Sequence, residues 1–251
     1  MPSPTQITIA QLSRLIGMPE APLSLDVRTD EDFADDPRLL PAALRHPFNT
    51  IQNLAADLKT TRVVVYCQKG KKLSEGSAAV LRSEGVNAET LQVGHFGWRD
   101  ARQLLIPTQN IPNYPKASIW VTRHRPKIDR IACPWLIRRF VDPRARFLFV
   151  APSEVITVAE HFVATPFDME NVHFSHRGDQ CTFDTMLEEF QLHNESLDRF
   201  ATIVRGADTN RLELTPQCAG LLAASLGFSR LYDALYRWCR DATDETHDWP
   251  V

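Results

Sequence analysis

The segment Val63-Val64-Val65-Tyr66-Cys67-Gln68-Lys69-Gly70-Lys71-Lys72 carries one cysteine from a short, β-branched apolar run into a glycine- and lysine-rich turn, just ahead of a helical pattern. A strand that feeds a helix through so short a turn is a unit of a parallel sheet with covering helices. The turn also sets the chemistry. Backbone N–H groups converge there beside a helix N-terminus and three ammonium groups, and each of these favours thiolate over thiol. Cys67 therefore reads as a nucleophile. The competing reading, a small buried hydrophobe closing a strand, leaves the lysine-rich turn without a purpose.

The pattern around this unit alternates. A helical start spans 9–16, a strand Leu23 to Val27, a helical stretch 51–58, the strand Val63 to Tyr66, a helix Ser74 to Glu84 and a short strand near 90–92. Ligands gather at the carboxyl ends of strands in such sheets, where Cys67 and Asp26-Val27-Arg28 both fall. Pro107, Pro112 and Pro115 then interrupt the chain, so 107–116 is read as a linker between a first unit, 1–106, and a second, 117–240. The second shows strands at 118–122 and 147–150 and is otherwise helical, a mostly helical α+β pattern. One of its helices is expected to open near Ala132 with Pro134 in its first turn and Ala132, Leu136 and Phe140 on one apolar face. Others are expected at 153–162, 182–190, 197–205, 216–226 and 229–240, before an acidic tail at 241–251.

Composition narrows the classes. With 251 residues, 43% of them hydrophobic, the chain can bury one large core or two ordinary ones. A formal net charge of -3 argues against binding nucleic acid by bulk electrostatics. Five dispersed cysteines without a CxxC pair read as reduced thiols, and a start lacking an apolar core, with no long apolar run, points to the cytoplasm and away from a membrane.

Leu25-Asp26-Val27-Arg28-Thr29, Cys67-Gln68-Lys69-Gly70-Lys71-Lys72, Ala78-Ala79-Val80-Leu81 with Gly85, and Val93-Gly94-His95-Phe96-Gly97-Trp98 resemble, in order and spacing, a rhodanese, a single-domain sulfurtransferase. The resemblance implies that Cys67 takes a sulfane sulfur from thiosulfate or a persulfide donor and passes it to a thiol or cyanide. Gln68, Lys69, Gly70, Lys71, Lys72 and Leu73 would form the loop that holds the anion. Asp26 and Arg28 would brace that loop. The family loop usually reads Cys-x-x-Gly-x-Arg-Ser. Here Lys72 stands for the arginine and Leu73 for the serine, with a serine only at Ser74. Lysine keeps the charge and loses the bidentate fork.

A second constellation runs from Arg123 through Lys127, Asp129 and Arg130 to Cys133, a basic turn feeding a helix. It suits a sulfate-, phosphate- or chromate-like oxyanion, or is a solvated basic surface. Cys133 is a reactive thiol at a helix start or a core filler. His173 to Asp184 gathers imidazoles, a thiol and carboxylates. It reads as a transition-metal site with His176 and Cys181 as ligands, or as a capped helix start with His176 paired to an acid. With Val204 to Thr209 and Ala234 to Cys239, these segments resemble the C-terminal domain of ChrB-type chromate-resistance proteins. That resemblance implies a pocket of Arg123, Lys127, Asp129, Arg130, Cys133, His176, Asp184 and Asp208.

The leading expectation is a sulfurtransferase fused to an oxyanion-binding unit acting in chromate resistance. Its partners would be small sulfur-donor anions, thiol acceptors and chromate. A chromate-responsive transcriptional regulator binding DNA through 123–139, and a metal-dependent redox protein, are the alternatives; the first lacks a visible helix-turn-helix.

Overall fold

The computed structural model describes residues 5–225. The chain opens with β1 (Gln6–Ile7) and α1 (Ile9–Leu15), whose start is a reciprocal capping box between Thr8 and Gln11. It continues through β2 (Leu23–Asp26), α2 (Asp30–Asp35), β3 (Arg38–Leu39) and β4 (Leu44–Arg45) to a 3-10 stretch at Phe48–Leu54. Then come β5 (Val63–Tyr66), α3 (Lys72–Ser83), β6 (Ala88–Leu91) and α4 (Gly94–Asp100). The expected strands and helices of this half fall into place except at 51–58, where the chain forms the 3-10 stretch that ends at Leu54 and then turns; α2, α4 and the two-residue strands carry too little periodicity to be read.

Strands β1, β6, β5, β2 and β4, in that order, form an entirely parallel sheet. Its central strand β5 is buried at all four positions, which is why its sequence shows no polar alternation. Val63 and Val65 pack with Leu25, Ala78 and Leu81 on one face. Val64 and Tyr66 pack on the other with Leu12, Leu91 and Trp98, in a core that runs on into Trp120, Leu136, Phe140 and Phe167 of the second half. Each such fully buried apolar side chain contributes roughly 1.5–3 kcal/mol. The two halves thus share one interior. Gly17 fits against the Phe140 ring so closely that a Cβ there would lie 2.4 Å from Cζ, and the Phe140 carbonyl accepts from the Ala42 amide at 2.6 Å.

The proline-containing stretch between the halves is packed as well. Here β7 (Ile106–Pro107) pairs antiparallel with β3, the Thr108 hydroxyl donates to the Pro37 carbonyl at 2.7 Å, and Ile111 is buried. Beyond it lie β8 (Ile119–Arg123), α5 (Asp129–Leu136), β9 (Arg146–Val150), α6 (Val155–Phe162), β10 (Thr165–Pro166), α7 (Thr182–Glu189) and α8 (Glu195–Asp208), with helix again at 217–225. The strand order β10-β8-β9 is parallel throughout. Helix α5 opens at Asp129, three residues ahead of expectation, so Pro134 falls inside it. Having no N–H, Pro134 leaves the Arg130 carbonyl without its helical donor, and the next turn, Ile137–Val141, widens to a π-helix. Ala132, Leu136 and Phe140 are buried together as their spacing implied. The expected helix at 229–240, the acidic tail and the motif at 234–239 lie outside the described residues.

Candidate functional site

Cys67 follows the last residue of β5, and its loop is shaped by two backbones in close approach. Gly70 has φ +64 and Gly94 φ +60, and a Cβ on Gly94 would lie 2.2 Å from the Cys67 carbonyl oxygen and 2.3 Å from the Gly70 nitrogen. Only glycine meets both demands. The Cys67 and Gln68 carbonyls accept from the amides of His95 and Phe96 at 2.9 and 3.0 Å, which ties the loop to the start of α4. At the head of α3, Lys71 offers no side-chain acceptor, so first-turn N–H groups remain for an anion. Cys67 is 5% exposed, yet it lines an open cavity of about 500 Å³ with Thr29, Asp32, Gln68, Lys69, Lys71, Lys72 and Leu73. Every loop residue named from the sequence except Gly70, which props the loop from behind, borders this space.

The sulfur has a partner the sequence pattern did not supply. Ser74, fully buried, places Oγ 3.3 Å from Cys67 Sγ while donating to the Lys71 carbonyl at 3.0 Å. A hydroxyl that rotates from carbonyl to sulfur supplies a proton donor when the sulfur becomes anionic. The displaced serine of the motif, one position later than usual, therefore still reaches the sulfur.

Asp26 and Arg28 form a fully buried ion pair with Nη2 to Oδ2 at 2.6 Å. The guanidinium spends its other donors on the carbonyls of Asp36 at 2.8 Å and Arg38 at 2.7 Å. The pair therefore braces the 36–38 segment rather than the cysteine loop, a correction to the expected role. That segment supports the loop indirectly, because Asp36 Oδ2 accepts from His95 Nε2 at 2.9 Å. Burial raises the Asp36 carboxyl, but hydrogen bonds from Arg38 and His95 outweigh it and hold it well below the usual carboxylate range. His95 is pushed down by burial and by Arg28, so it sits beside Asp36 as a neutral ring.

In the second half the structure selects among the candidates. His176 Nε2 lies 3.1 Å from Asp208 Oδ2, 3.4 Å from Asp129 Oδ2 and 3.6 Å from Asp168 Oδ1. These carboxylates push the imidazole up to about 12. Asp129, at the start of α5, also accepts from the Thr182 amide at 2.6 Å, while burial raises its own carboxyl. Asp168, a residue no motif marked, accepts from Thr182 Oγ1 at 3.1 Å and from Arg123 Nη2 at 3.3 Å. Arg130 Nε lies 3.6 Å from the same carboxylate. Asp168 thus takes up part of the guanidinium charge expected to hold an oxyanion, although among the described residues the Nε donors of Arg123 and Arg130 have no hydrogen-bond partner; Lys127 is exposed, apart from the cluster's contacts.

For three further candidates the structure decides the role, taking Cys133, Cys181 and Asp184 out of the expected pocket. Cys133 lies inside α5 in the core, where burial pushes its thiol well up, so it is a filler and no reactive group. Cys181 caps α7, with its own amide donating to Asp184 Oδ2 at 3.0 Å; its thiol, raised by burial, does not join the cluster's ligand atoms. Asp184 pairs with Arg205 at 3.1 Å instead of joining His176.

Residues 8–101 match the model of the rhodanese-like domain, and 120–242 match that of the ChrB C-terminal domain. Protein ChrB of Cupriavidus metallidurans is 37% identical over 90 residues, which are 36% of this chain and 26% of ChrB, so the match spans about a quarter of that relative. Among solved structures, a rhodanese-like domain protein from Staphylococcus aureus is 25% identical over 38% of this chain and 90% of its own, with a TM-score of 0.34. A rhodanese-related protein from Thermoplasma volcanium is 20% identical over 40% of this chain and 96% of its own, with a TM-score of 0.35. No described helix is long and apolar enough to cross a membrane. The chain thus carries a rhodanese-like domain followed by a ChrB C-terminal domain.

Proposed function

We propose that this protein is a rhodanese-type sulfurtransferase that works through a persulfide on Cys67, within a chromate-resistance protein of the ChrB kind. The observation that carries the reading is the cavity in which Cys67 meets Lys69, Lys71 and Lys72 at the uncapped head of α3. Ammonium groups draw in a dianion such as thiosulfate, and N–H donors hold the charge that stays on sulfur.

The Cys67 thiolate attacks the outer sulfur of thiosulfate. A sulfur–sulfur bond forms at Sγ, the bond to the sulfonate sulfur breaks, and sulfite leaves with the electron pair. Cyanide or an acceptor thiolate then attacks the terminal sulfur and returns Cys67 as thiolate. Ser74 supports the anionic sulfur in each half-reaction. Lys72, a point charge where the family carries a planar fork, grips a sulfonate less well than arginine would, which favours persulfide donors over thiosulfate.

Thiosulfate:cyanide transfer by the purified chain and by Cys67→Ser tests this reading. Turnover by the first and none by the second is expected; equal rates remove the sulfurtransferase.

A further inference from the structure

We propose that Asp129, His176 and Asp208 bind one divalent first-row transition ion, a site independent of Cys67. Three carboxylate oxygens, from Asp208, Asp129 and Asp168, converge on a single ring nitrogen at 3.1, 3.4 and 3.6 Å. One N–H can donate to one of them. A cation among them satisfies all, and the spacing suits it: ligands held at about 2.1 Å from an ion lie roughly 3.0–3.4 Å from one another. One atom from each of the three proposed ligands falls within 4.8 Å of the others.

A second observation points the same way. Asp129 has a side chain 1% exposed, and among the described residues its Oδ1 has no hydrogen-bond partner while Oδ2 takes the Thr182 amide and faces His176. An orphaned carboxylate oxygen at this depth is costly unless something positive meets it. The nearby cations leave Oδ1 unmet: Arg123 and Arg130 turn to Asp168, and His176 meets Asp129 through Oδ2. Asp168, held by those arginines and by Thr182, is a positioning residue that fixes the wall of the site.

The donor set narrows the ion. One imidazole and two carboxylates, with no thiolate among them, suit a borderline or hard divalent ion such as Mn2+ and not Cu(I). The route is open, since the side chains of His176 and Asp208 are 42% and 19% exposed, which leaves positions for water on the ion. On binding, the ion takes the place of the proton at Nε2, which passes to solvent.

Equilibrium dialysis of the metal-stripped full chain against Mn2+, with free Mn2+ read by electron paramagnetic resonance, tests the site. One ion per chain is expected for the wild type and equally for Cys67→Ser. Asp208→Asn is expected to weaken binding by more than about tenfold, the scale of losing even an outer partner. His176→Ala is expected to abolish it. Should His176→Ala lose its fold by circular dichroism, Asp208→Asn alone decides, its side chain lying nearer the surface. No stoichiometric ion in the wild type, or undiminished binding in Asp208→Asn, overturns the proposal.

Discussion

The Cys67 loop and the His176 cluster are both dense in charge, yet they are assembled in opposite ways. The first is one continuous stretch, 67–74, held by a second short stretch, 93–96. The second draws Asp129, Asp168, His176 and Asp208 from four places along 80 residues. A site built within one loop owes its geometry to local backbone chemistry, whereas a site built across elements owes it to the packing that brings those elements together. The two should therefore fail separately.

The sharpest break is chemical. Cys67→Ser should lower sulfur transfer at least about a thousandfold, as loss of a nucleophile does, while Mn2+ binding stays unchanged in the dialysis above. Next in size is Arg28→Ala. It leaves Asp26 as an uncompensated buried charge and should cost about 3–5 kcal/mol in urea unfolding, with the stability loss exceeding any change in the transfer rate per folded molecule. Ser74→Ala sharpens the picture of the loop. Removing one hydrogen bond to an anionic sulfur, worth about 1.5–3 kcal/mol, should lower kcat/KM for transfer roughly ten- to a hundredfold with the fold retained.

The smallest effect is one of pH. Because folding holds His95 neutral, the unfolded chain binds the extra proton as pH falls below about 6.5. The His95 share of stability is then full near pH 7 and lost toward pH 5, whereas His176, held up, adds stability over the same range. The difference between wild type and His95→Gln isolates the His95 share: the variant should lose less, or gain more, between pH 7 and 5. Asp36, held low, adds a further loss once pH drops below about 4, the ordinary carboxylate range. Urea midpoints at pH 7, 5 and 3 for the wild type and His95→Gln measure both.

What was legible follows the same division. Strand β5 and its loop were readable because burial on both faces and a tight turn leave marks in adjacent residues. The placing of Ser74 against the sulfur was not, since the family spacing points to position 73 and only the coordinates of α3 show the next residue turning inward. Asp26 and Arg28 were identified as a structural pair, but their targets at 36 and 38 lie in a segment without periodicity. In the second half, His176, Asp129 and Asp208 were named among eight candidates, and nothing local separated them from Cys133, Lys127 and Asp184. Asp168 was missed because its neighbours form no motif; its role arises from the bond to Thr182, fourteen residues on.

The central claim is that Cys67 is a sulfur carrier in a cationic cradle. Intact-protein and peptide mass spectrometry of the chain after incubation with thiosulfate, followed by gel filtration, tests it most directly. The account predicts one added sulfur atom, located on the peptide containing Cys67, removable by cyanide and absent from Cys67→Ser. A wild-type chain that gains no sulfur from thiosulfate or from a persulfide donor, or gains it equally in the variant, would contradict it.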